Sequence, residues 1–153
     1  MAKKRRSRFW IVSTHVVTAG FAIPLLVGFI AAVLVAQAQL TGMEALIPVM
    51  ALLLLAYVGG TYYSLSYLAK TAVSDAWNAC TKPAIITVAI LNVLGCVVDC
   101  LRSTAGIALV FLFILYHAAL VFLFAVITSR GFARLAAESA ASEAESPSPP
   151  ATP

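Results

Sequence analysis

Charge is what this chain has least of. Lys, Arg, Asp and Glu together make 10% of its 153 residues, while 62% are apolar; an ordinary soluble domain carries about 25% charged residues. So little polar surface cannot coat a water-soluble fold. Four runs, at about 9–37, 45–69, 83–98 and 105–129, hold no charged residue at all. Catalytic signatures are missing too: there is no H-E-x-x-H, no G-x-S-x-G, no phosphate-binding glycine loop and no carboxylate pair. The sequence therefore reads as non-enzymatic. No internal repeat is visible, which removes the usual argument for an alternating-access transporter built from two halves. A carrier coupled to protons or ions normally places a carboxylate or lysine inside its helices, and none of the four runs contains one.

What is present is long apolar sequence. About 20 helical residues cross a hydrocarbon core of roughly 30 Å, so the runs predict transmembrane helices at about 9–37, 43–69, 83–101 and 105–129. The third reaches that length only if Asp99 to Leu101 finish it among the headgroups. Short connections make sequential helices antiparallel neighbours. The expected fold is an all-α membrane protein: an antiparallel bundle of four transmembrane helices over residues 1–137, followed by a disordered Ala/Ser/Glu/Pro tail over 138–153.

The basic residues give an orientation. Lys3, Lys4, Arg5, Arg6, Arg8, Lys70, Lys82, Arg130 and Arg134 fall at one set of helix ends, and Arg102 alone falls at the other. By the positive-inside rule both termini are cytoplasmic. The compact loops and strong bias fit the inner membrane of a bacterium. The net charge of +4 reflects this asymmetry and an affinity for anionic headgroups rather than for nucleic acid. The basic start and Ala36-Gln37-Ala38 imitate a signal peptide, but the first apolar run far exceeds the usual 7 to 15 residues, so it reads as a retained helix.

Local signals refine the picture. Pro24 removes a backbone bond to Gly20 and predicts a bend. Gly28, Ala32 and Ala36 form a four-residue stripe of small residues, and Gly60 and Ser64 form another; both suit close helix contact. Thr41 and Glu44 spell a capping box for the second helix. Tyr57 and Thr61 lie deep enough to need hydrogen-bonding neighbours. The connection 70–82 suggests a short helix on the membrane surface with Trp77 dipping into it, and Pro83 suits a first helical turn.

Two groups of residues are candidates for a site. Asn92, Cys96, Asp99, Cys100 and Arg102 make a polar cluster at the outer end of the third helix. Two thiols and a carboxylate without histidine are a poor metal set, Cys96 and Cys100 are poorly placed for a disulfide within a helix, and Asp99 with Arg102 suggests an i, i+3 ion pair. Cys80 lies at the opposite end. His15 and His117, the only histidines, lie within membrane segments, where ionisable groups are functional suspects. Together they raise the alternative of a b-type haem or a quinone site. Their depths differ by roughly 9 Å at about 1.5 Å per residue, which argues against one shared iron, and no cofactor or metal is predicted. Hydrogen bonds to neighbouring helices, such as His117 to a tyrosine or serine of the second segment, explain them without one.

The sequence thus points first to a non-catalytic accessory or scaffolding subunit that contacts lipid and other membrane subunits or its own copies. The electron-transfer subunit and a small oligomeric channel or carrier are the alternatives.

Overall fold

A computed structural model describes residues 4–74, 76–102 and 107–144, without the side chains of Arg102 and Glu143. It is all-helical apart from one two-residue bridge. In chain order the elements are β1 (Lys4–Arg5), α1 (Arg8–Val17), a π-helical turn (Thr18–Ala22), α2 (Ile23–Gln37), α3 (Gly42–Thr71), β2 (Ala72–Val73), α4 (Trp77–Arg102) and α5 (Ile107–Ala144). Four segments are long and apolar enough to cross a membrane: Arg8–Gln37, Gly42–Thr71, Trp77–Leu101 and Ile107–Ser142.

The helices pack side by side. Ala19 meets Gly60 and Gly28 meets Leu53, so the first two segments run antiparallel. Trp77 bonds Ser139 while Asn92 bonds His117, which gives the same relation for α4 and α5.

The proline expectation takes a specific form. Pro24 has no N–H for the Gly20 carbonyl, and just upstream the Ile23 N–H reaches Thr18 O, five residues back. The helix thus absorbs the proline as one wide turn, a feature common at functional sites. Where α2 ends, Gln39 takes a left-handed φ of 54°, the usual conformation just past a helix C-terminus. The capping box does not form. Thr41 is extended as an N-cap but its side chain makes no capping bond, and Gly42, the first residue of α3, has a left-handed φ of 59°.

The stripe Gly28, Ala32, Ala36 is not one buried face. Gly28 packs against Leu53, whereas Ala32 and Ala36 are exposed and Ala31 is buried instead. The inward face thus follows the helical period from Gly28 to Ala31 rather than strict steps of four. Gly60 and Ser64 are both buried, against the first segment.

The connection after α3 also differs from expectation. Ala72–Val73 pairs in parallel with Lys4–Arg5, and α4 starts at Trp77, leaving Pro83 inside the helix rather than in its first turn. Trp77 is buried, not dipped into an interface. Its indole donates to Ser139 Oγ at 3.1 Å and its ring lies 5.9 Å from that of Phe132. These contacts exist because α5 runs on beyond the apolar run: its 38 residues span about 57 Å at 1.5 Å each, and Phe132 and Leu135 are buried there. The helix reaches Ala144, into the stretch expected as tail; residues 145–153 lie outside the described residues.

Candidate functional site

Two polar clusters sit inside the bundle, and each holds one histidine. His15 on α1 is fully buried. Its Nδ1 lies 2.9 Å from Ser64 Oγ on α3 and its Nε2 lies 2.9 Å from Thr128 Oγ1 on α5. Phe124 stacks on the ring at 5.1 Å between centroids, and Phe132 tilts against it at the same distance. A neutral imidazole offers one donor and one acceptor nitrogen, and a hydroxyl serves as either. Both tautomers are therefore satisfied, and one side chain ties together three helices.

The second cluster joins α4 and α5 and reaches α3. Asn92 and Asp99 stand two turns apart on one face of α4, and His117 of α5 fits between them. Its Nδ1 is 3.1 Å from Asn92 Oδ1 and its Nε2 is 3.1 Å from Asp99 Oδ2. Gly95, on the same face, makes the room: a Cβ there would lie 3.2 Å from His117 Cε1. The rings of Tyr116 and His117 lie edge-on to each other, 5.5 Å between centroids.

The hydrogen-bond directions can be worked out along this chain. The Asn92 side-chain amide donates to the Val88 carbonyl at 2.9 Å and to the Tyr57 hydroxyl at 3.0 Å. A carbonyl only accepts, so Asn92 Nδ2 faces Val88 and Oδ1 faces His117. Nδ1 of His117 must then carry a hydrogen. On the other side of the ring, Nε2 and Asp99 Oδ2 need one hydrogen between them, or two acceptors would oppose each other. Either an imidazolium faces a carboxylate or a neutral imidazole faces a carboxylic acid. The pair holds one proton in both forms and is net neutral in both, which avoids an unpaired charge in a medium that solvates charge poorly.

Two openings meet at this network. A cavity of about 260 Å³ is lined by Gly20, Pro24, Tyr57, Asn92, Asp99 and His117, among others, so the π turn and its proline form one wall. A second, of about 540 Å³, reaches Asn92 and His117 from the side of Cys96 and Phe122. Asp99 is half-exposed, at 46% of its side chain, against 14% for His117.

The candidates read from the sequence therefore separate. Asp99 pairs with His117 on α5; the expected i, i+3 pair with Arg102 falls on a side chain that lies outside the described residues. Cys96 and Cys100 are free, half-buried thiols, and Cys80 is free and buried. Its Sγ faces the Arg8 carbonyl at 4.0 Å. Among the described residues no group of three potential metal ligands comes together. The two histidines do not meet: Thr128, which holds His15, lies eleven residues along α5 from His117, about 16 Å at 1.5 Å per residue. All four ring nitrogens have hydrogen-bond partners, so a haem held by both histidines does not fit. Thr128, Phe124 and Gly95 carry roles the sequence did not suggest. Comparison with protein families, with curated proteins and with solved structures finds no match for this chain.

Proposed function

We propose that this is a small four-span integral membrane protein of the cytoplasmic membrane, with both termini inside, that carries a small amphipathic organic cation in exchange for a proton. The observation behind the reading is the Asp99–His117 contact over a cavity. It supplies the carboxylate that the four apolar runs lack. A carboxylate half-exposed to the cavity has two alternative partners: the proton shared with His117, or the ammonium of a solute. Binding the ammonium at Asp99 releases the proton from His117 Nε2, so the charge of the site is the same before and after. Tyr57 accepts from Asn92 and has its own hydroxyl hydrogen to offer an occupant. The volume is at the small end for ligand sites, which restricts the solute to a few rings or a short chain.

The test is uptake into liposomes holding the pure protein and a trapped pH-sensitive dye, with a panel of small aliphatic and aromatic amines outside. At least one amine should drive a protein-dependent pH change that Asp99→Asn abolishes and Glu44→Gln preserves. No amine-dependent change with the unaltered protein would refute the reading.

A second reading, an accessory subunit, is favoured by Ala32 and Ala36, small residues that face outward and suit a neighbouring helix. Co-purification with other membrane polypeptides after gentle release, lost in Ala32→Leu, would favour it over the carrier.

A further inference from the structure

A third cavity lies away from both histidines, where α3 and α5 leave the apolar zone. It has a volume of about 380 Å³, and its lining includes Tyr62 and Ser66 from α3 and Arg130, Gly131, Arg134 and Glu138 from α5. The charges are not equivalent. Arg134 is tied to Glu138, one turn on, through Nε to Oε1 at 2.7 Å. Arg130 forms no ion pair among the described residues, so the cavity has one uncompensated cation with two hydroxyl-bearing side chains opposite.

The cavity owes its shape to Gly131. A Cβ at that position would collide with the Leu65 side chain, so the two helices touch there through a glycine. Its remaining walls are apolar, with Leu65, Val126 and Ile127 among them. Val126 and Ile127 stand one turn before Arg130, toward the middle of the chain's apolar zone, and leave an apolar wall directly beside the cation.

We infer that this cavity holds the headgroup of an anionic phospholipid, with the phosphodiester on Arg130 and the hydroxyls of Tyr62 and Ser66, and with an acyl chain starting along Val126 and Ile127. The combination decides between a lipid and a free anion. A guanidinium beside hydroxyls suits any phosphate oxygen, but an apolar flank adjoining the cation stabilises only a ligand that carries hydrocarbon as well.

Native mass spectrometry of the detergent-solubilised full chain, titrated with phosphatidylglycerol and with phosphatidylcholine, tests this. The unaltered protein should retain phosphatidylglycerol preferentially, and Arg130→Gln should lower that preference about fivefold, the effect of one basic residue at a membrane surface. Lys82→Gln, which removes an exposed cation outside the cavity, should leave it unchanged. Equal retention of the two lipids, or an equal loss in both variants, would overturn the assignment in favour of diffuse attraction. Displacement of the bound lipid by millimolar inorganic phosphate would overturn the lipid and leave a free-anion site. Arg130 is exposed, and circular dichroism of the variant checks that its helices remain.

Discussion

The His15 clamp can be taken apart one interaction at a time. Replacing His15 by Phe keeps a ring between Phe124 and Phe132 and removes both hydrogen bonds, at 2.9 Å each. Interhelical hydrogen bonds in membrane proteins average about 0.6 kcal/mol and reach about 1.7, so two should contribute about 1–3 kcal/mol. The released hydroxyls of Ser64 and Thr128 limit the loss, because each can turn back to a carbonyl of its own helix. His15→Ala removes the ring as well. The void left among Phe124, Phe132 and Ile11, all buried, raises the expected loss to about 3–5 kcal/mol. Unfolding with increasing SDS in mixed micelles, followed by circular dichroism, measures both. Ser64→Ala supplies the control: it should cost about 1 kcal/mol in the native background and almost nothing in His15→Phe, because its partner is already gone. Stability of His15→Phe equal to the unaltered protein, or full additivity with Ser64→Ala, would refute the clamp.

Four further outcomes follow from the packing. Gly131→Ala should destabilise the bundle by about 1–3 kcal/mol, since its Cβ runs into Leu65. Gly59→Ala, which meets nothing within 4 Å, should be neutral or stabilise by up to about 1 kcal/mol through helix propensity; the same SDS titration reads both. Truncation after Phe132 removes Leu135 and Ser139 from the Trp77 end of α5, so in a Trp10→Phe background the Trp77 emission should move to longer wavelength. In Cys96→Ala/Cys100→Ala protein, the buried Cys80 should resist maleimide until the bundle is unfolded; rapid labelling in intact membranes would contradict its placement.

The four helices were legible because a bilayer imposes length and apolarity on each segment independently of the others. Partners across helices were not. Asp99 reads in sequence as the neighbour of Arg102, since spacing along one helix is all a sequence displays; its contact with His117 depends on how α4 and α5 are rotated. Gly95 was the available signal, a residue with no side chain between two polar ones on the same face. His15 could be recognised as a buried polar group needing partners, but nothing in Thr128 or Ser64 says which hydroxyls provide them. The end of α5 was missed for a different reason. Its Ala and Glu content is compatible with helix as well as with a tail, and Phe132 and Leu135 find their partner in Trp77, more than fifty residues earlier.

The proton held between His117 and Asp99 is the centre of the proposed exchange. Nitrogen-15 NMR of histidine-labelled protein in lipid nanodiscs reads that proton directly, since protonated and bare ring nitrogens resonate far apart. In the unaltered protein Nδ1 of His117 should be protonated in every form, with Nε2 either protonated or sharing the Asp99 hydrogen. In Asp99→Asn the ring should become neutral with its hydrogen on Nδ1 alone. A neutral His117 carrying its hydrogen on Nε2, or a spectrum indifferent to Asp99→Asn, would contradict the shared proton and the exchange built on it.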